Sequence, residues 1–237
     1  MATFRVVLVE PQNEGNVGAV ARVMKNFGVE ELVLVKPCPL GPEARKRAMR
    51  GAPILEKSTS VADFNEAVRG VDLVVGTSGI ETSSERKFAR IAISPADLGT
   101  RTAATSALVA LVFGREDFGL LAEDVEKCDL LVTVPASAEY PILNISHAAA
   151  IVLYELFRSR SSRRSRRHAS GLEKERLHRA FADLLAATDY PTHKRARTSI
   201  MFRRLLGRAV PTPWEFHALM GVLQRATKRI ARLERGR

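Results

Sequence analysis

Five polar residues could do chemistry: Asn16, Glu116, Asn144 and Ser146 beside loops that follow apolar runs, and Arg22 within the helix after the first of those loops. Amides and hydroxyls can orient a ligand, a carboxylate can accept protons or cations, and a guanidinium can hold an anion. Each also has a plain structural reading. Asn144 opens a helix and suits its cap. Glu116-Asp117 suits a turn, and an arginine on a helix is ordinarily solvated or ion-paired. His147 has the pKa range of a base, but a structural role is the expectation for it. Position shows where a site would lie. The apolar runs 107–113 and 130–134 read as buried parallel strands, and the loops 114–119 and 135–143 follow them directly. Ligands of parallel sheets collect in the loops beyond strand C-termini.

The elements that must hold these loops repeat along the chain. Residues 4–9 (FRVVLV) predict a strand, 16–27 a helix with Val20, Val23, Met24 and Phe27 on one face, and 32–35 a second strand. A short helix is expected over 42–50, another over 61–69 capped by Ser60, and a strand over 71–76 followed by Thr77-Ser78-Gly79. The polar stretch 80–105 predicts an active-site loop or lid. From Ile145 onward Ala148, Ala149, Val152 and Leu156 share a helical face. This alternation predicts an α/β domain over residues 1–157 with a mainly parallel sheet. The βαβ opening is not a nicotinamide site, because Gly15-x-x-Gly18 lacks the dinucleotide fingerprint and Lys36-Pro37 stands where a ribose-binding acid belongs.

Charge divides the 237-residue chain sharply. Residues 1–157 hold 16 basic against 20 acidic side chains, a net of −4. Residues 158–170 add six arginines and no acid, and 171–237 carry 15 basic against 6 acidic residues. The stretch 158–167 contains only Arg and Ser, so it reads as a solvated linker or a frayed helix end. Beyond it, Ser170-x-x-Glu173 and Thr212-x-x-Glu215 are capping boxes, and residues 194–206 have helical spacing ended by Gly207. The tail, 171–237, is therefore expected to be a small basic three-helix unit that meets a polyanion, nucleic acid first. Nothing approaches a membrane span or a signal peptide, so a cytoplasmic protein is expected. Cys38 and Cys128 lack metal or disulfide spacing; no metal is expected, and Cys128 reads as a small buried hydrophobe.

Three segments, VEPQNEGNVGAVARVMKNFGV, LVFGREDFG and YPILNISHAAAI, resemble the three motifs of the TrmH/TrmJ branch of the SPOUT RNA 2′-O-methyltransferases, the TrmJ-type tRNA enzymes above all. The likeness spans residues 4–157, and more weakly the basic tail. It implies a C-terminal trefoil knot, S-adenosylmethionine as cofactor and a homodimer. It assigns the cofactor to Thr77, Ser78, Gly79, Gly114, Val134, Pro141, Ile142 and Leu143, with Gly79, Gly114 and Gly119 letting the backbone approach the ligand. Functional roles fall to Asn16, Arg22, Glu116 and Asn144. A family arginine proposed as the base matches Arg22, although a guanidinium stays charged; binding a 3′-phosphate and stabilising an alkoxide would explain it equally. Where the family often has Ser, this chain has Ile142; Ser146 is retained within the third motif.

The implied activity is 2′-O-methylation of a tRNA, by resemblance at position 32 of the anticodon loop, on cytidine before uridine. Ribosomal RNA is the alternative substrate. A non-catalytic RNA-binding protein on the same scaffold is the reading from another class.

Overall fold

The computed structural model describes residues 2–79, 92–159 and 168–235. Six strands form one all-parallel sheet: β1 (Thr3–Val9), β2 (Glu31–Val35), β3 (Thr59–Val61), β4 (Leu73–Thr77), β5 (Leu108–Phe113) and β6 (Leu130–Val132). Their spatial order is β3-β2-β1-β5-β4-β6. The central strands read as Val- and Leu-rich runs because both faces are covered. Val6, Leu8 and Leu111 point into one core with α1 (Glu14–Asn26), α5 (Pro95–Thr102) and α7 (Ile145–Arg158). Val7, Val9 and Val112 point into the other, with α4 (Phe64–Ala67) and α6 (Ala122–Lys127). Each fully buried Val or Leu contributes about 1.5–3 kcal/mol relative to exposure.

Three local expectations are corrected. Residues 59–61 form the edge strand β3, and α4 starts only at Phe64 with Asp63 as its cap. Thr59 and Ser60 are exposed, so the edge strand carries no apolar signature. Within the stretch expected to be a loop, α5 forms where Ser94 accepts the Asp97 N–H and Pro95 opens the first turn. The rest of that loop, 80–91, lies outside the described residues, as does 160–167 of the Arg/Ser stretch. The expected helix over 42–50 is α2 (Pro42–Ala48), continued by a 3-10 turn and α3 (Ala52–Glu56).

The tail folds as α8 (Gly171–Ala187), α9 (Thr192–Ala209) and α10 (Pro213–Arg235). Both capping boxes form. Gly207 does not end α9, which runs on to Ala209. Its missing side chain serves packing instead: a Cβ there would overlap the carbonyl of Asp129. That contact seats α9 on β6, the outer strand of the sheet. Lys174 of α8 reaches Asp129 at 3.3 Å, with both side chains about 8% exposed or less. Arg204 donates to the Val125 carbonyl, and the Gly171 N–H to Asp72 (3.1 Å). The basic helices are thus docked on the sheet domain through directed polar contacts.

Candidate active site

All three motif segments meet at the C-terminal ends of β1, β4, β5 and β6. Asn13 caps α1 by accepting the Asn16 N–H, which fixes the first turn and the Asn16 side chain with it. After β5, Arg115 and Gly119 exchange backbone hydrogen bonds (3.1 and 2.9 Å), closing a tight turn that carries Glu116. After β6, the loop ends at Asn144, whose side chain accepts the Ser146 N–H (2.9 Å) and caps α7.

Four of the five polar residues form one hydrogen-bonded chain. Ser146 Oγ donates to Asn144 Oδ1 (2.7 Å), Asn144 Nδ2 to Asn16 Oδ1 (3.0 Å), and Asn16 Nδ2 to Glu116 Oε1 (2.9 Å). Glu116 also accepts the N–H groups of Gln12 (2.9 Å) and Asn13 (3.3 Å). Each amide is therefore fixed in orientation, and each Nδ2 keeps a second hydrogen for a ligand. Glu116 acts here as the anchor that ties the β1 loop to the β5 loop.

Beside this chain lies a cavity of about 380 Å³. Thr77, Ser78, Gly79, Gly114, Val134, Pro141, Ile142 and Leu143 all line it, together with Glu116 and Asn144. Its inner wall is apolar, built by Phe113, Leu120, Val132 and Val134. Gly114 departs from its expected reason. A Cβ there would overlap the backbone of Gly119 and Leu120, so this glycine lets the turn close on itself.

Arg22 is not brought to this group. It lies six residues beyond Asn16 on α1, about 9 Å along the axis and roughly a third of a turn round the helix. It is exposed, and among the described residues it makes no ion pair or hydrogen bond. His147 is exposed beside the site. Cys128 is fully buried, and burial pushes its thiol up to about 12. Sequence reasoning gave no role to Arg115, which bridges Glu10 (3.2 Å) and Asp117 (2.9 Å), or to Phe118 and Tyr140 at the cavity mouth. The alternation of charge in Arg115-Glu116-Asp117 was the available signal.

Among the described residues no helix is long and apolar enough to cross a membrane. Nor, among them, could any group of three or more His, Cys, Asp and Glu hold a metal ion.

Comparison with known proteins places the chain in a family. The SpoU rRNA Methylase family matches residues 3–154. The tRNA (cytidine-2′-O-)-methyltransferase TrmJ of Methanocaldococcus jannaschii is 38% identical over 92% of this chain and 97% of its own length. The tRNA (cytidine/uridine-2′-O-)-methyltransferase TrmJ of Pectobacterium atrosepticum is 34% identical, over 95% of this chain and 97% of its own. The crystal structure of TrmJ from Z. mobilis ZM4 aligns with a TM-score of 0.71 at 25% identity, covering 93% of this chain and 97% of that one. With its parallel sheet, its motif loops gathered on one cavity and relatives matched nearly end to end, the chain belongs to the SpoU rRNA methylase family as a methyltransferase of the TrmJ type.

Proposed function

We propose that this protein is an S-adenosylmethionine-dependent tRNA 2′-O-methyltransferase acting on cytidine or uridine, at position 32 of the anticodon loop. The observation that carries the reading is the hydrogen-bonded chain Ser146–Asn144–Asn16–Glu116 at the mouth of the cavity. The cavity fits the cofactor. Its volume of about 380 Å³ lies in the range of small-ligand sites, its inner wall suits an adenosyl group, and carboxylates at the rim favour a cation. Thr77, Ser78, Gly79, Gly114, Val134, Pro141, Ile142 and Leu143 would hold it. When bound, S-adenosylmethionine supplies an electrophilic methyl group.

The chain's own residues then have two tasks. Asn16 and Asn144 direct their free amide hydrogens at the ribose, and their fixed geometry brings the 2′-hydroxyl into line. Ser146 and Glu116 hold those amides in one orientation. Arg22, exposed and without an ion pair among the described residues, is suited to a phosphate of the RNA or to the charge that develops as the hydroxyl loses its proton. Its distance from the cavity of its own chain favours a homodimer in which Arg22 serves the partner's site. Ile151, Tyr154 and Phe157 on α7 support this: they form an exposed apolar face beside Phe27, whose ring lies 6.3 Å from Tyr154 and 5.9 Å from Phe157.

In this reading residues 1–157 are the catalytic domain, with its last strand, loop and helix threaded through an earlier loop as a trefoil knot, and 158–170 link it to the RNA-binding helices of 171–237. The protein works in the cytoplasm. Mapping ribose methylation on unmodified tRNA and rRNA transcripts incubated with enzyme and S-adenosylmethionine tests the proposal. Methylation at tRNA residue 32 supports it. Methylation of rRNA alone moves the substrate class, and no cofactor binding by calorimetry leaves only an RNA-binding protein.

A further inference from the structure

Two rings at the mouth of the cavity have no packing role. Phe118 and Tyr140 line it beside Glu116 and Asn144, yet they are 74% and 78% exposed. Each is presented by a short braced turn. Phe118 sits between Arg115 and Gly119, with its N–H donated to Asp117 Oδ1 (2.9 Å). The Tyr140 N–H donates to the Ser137 carbonyl (3.1 Å), and the Glu139 N–H to Ser137 Oγ (3.3 Å). The Arg115 guanidinium lies 5.5 Å from the Phe118 ring centre, itself held by Glu10 and Asp117. The rings are therefore held in place and displayed.

What they display to follows from the other walls. The apolar interior of Phe113, Leu120 and Val132 is the buried part of the cavity. Rings three-quarters exposed stand outside it, on the side from which a macromolecular substrate must arrive. Among the described residues the mouth is not basic: Glu116 and Asp117 line it with Arg115, whose guanidinium is paired with Asp117 and with Glu10 behind it. Phosphate is poorly served at such a place. A nucleobase, neutral and planar, is well served by an aromatic face, and single-stranded RNA is commonly read by splaying bases onto such faces.

Resting on the function proposed above, we propose that Phe118 and Tyr140 form the stacking platform for the base of the nucleotide that is methylated. The base lies against the rings while its ribose reaches Asn16 and Asn144. Stacking engages the π-face and leaves the base edge unread, so one platform accepts both cytidine and uridine.

The test is a cycle between the rings and the base. The RNA carries either the normal base or an abasic ribose, with its 2′-hydroxyl kept, at the position methylated. Wild-type enzyme is expected to prefer the normal RNA about ten-fold or more in kcat/KM. Phe118→Ala/Tyr140→Ala should use both RNAs equally, whereas Phe118→Tyr/Tyr140→Phe should keep the preference. Equal use of the two RNAs by the wild type would overturn the platform and leave the methyltransferase reading standing. So would a double-alanine variant that keeps its preference but loses S-adenosylmethionine affinity by calorimetry, which would give the rings to the cofactor. Failure of the wild type to methylate any RNA would overturn both.

Discussion

The sheet half and the helical tail are held together by different physics. In the sheet half, two cores flank six strands, and Val6, Leu8, Leu111 and Val112 are wholly buried. Among the described residues the tail's own core cluster is small, built on Ala169, Leu177, Leu206 and Phe216. It is completed by what it leans on: Lys174 and Arg203 against Asp129, and Arg204 against the Val125 carbonyl. Apolar burial tolerates small shifts, whereas a buried ion pair is favourable only in a narrow geometry. A half that must hold a cavity is built on the first. A half that must carry positive charge spends part of that charge on docking, and so its orientation to the cavity is fixed.

The largest effect that would test this division lies in the sheet half. Asn144→Asp keeps the acceptor that caps α7 but loses the donor to Asn16. We expect kcat to fall roughly 10²- to 10³-fold, the scale of losing one aligned donor at a reacting oxygen, with tRNA affinity changed far less. A variant that bound tRNA weakly and turned over normally would erase the contrast.

Next comes the seam. Lys174→Met leaves the buried Asp129 without its nearest cation, and unfolding free energy should drop by about 3–5 kcal/mol. Lys174→Met with Asp129→Asn should recover much of that, because the buried charge goes too. Denaturant titration measures both. An undiminished Lys174→Met would show that the tail is held by apolar contact after all.

Acid should loosen the seam before it touches the sheet. Burial, reinforced by Arg203 and Lys174 against the opposing pull of Asp129 and Glu175, lowers His178 to about 4. A base with a depressed folded pKa is protonated first in the unfolded chain, so stability falls as pH drops from about 6.5 to 4. Burial would raise the Asp129 carboxyl, but Lys174, the Val74 N–H and Arg203 outweigh it and hold it below the usual value. Its contribution is present above the unfolded carboxylate pKa of about 3.9 and is lost as pH falls further. Thermal unfolding across pH should show a loss of order 2 kcal/mol above pH 4, and His178→Leu should flatten that part of the curve.

The smallest effect belongs to the tail's surface. Arg176, Arg179 and Lys228 line a groove between α8 and α10. Arg176→Ala with Lys228→Ala should lower the salt slope of tRNA affinity by about one per phosphate contact removed and leave kcat alone. An unchanged slope would move the RNA surface off this groove.

Much of this was legible beforehand where the signal is local. Both capping boxes, the Asn144 cap and the central strands follow from residue type and spacing. Ser94-Pro95-x-Asp97 carried the same kind of signal for α5, in a stretch whose polarity suggested a loop. β3 gave none, since an exposed edge strand has no apolar face to show. Gly207 was misread because a glycine marks a helix end or a close contact alike, and only the Asp129 carbonyl beside it distinguishes the two.

The sequence by itself determined the periodic elements, the charge asymmetry and the three motif segments, because propensity, capping and burial patterns act over a few residues. The tertiary structure alone decided which distant groups meet. Asn16 and Asn144 are 128 positions apart, Asn16 and Glu116 100, and Lys174 and Asp129 45. It also left Arg22 outside the cavity of its own chain and set Phe118 and Tyr140 at the cavity's mouth. Such meetings depend on strand order, which places β6 beside β4 and brings α7 back against α1. No local pattern encodes that order, because it is the packing of the whole sheet that selects it.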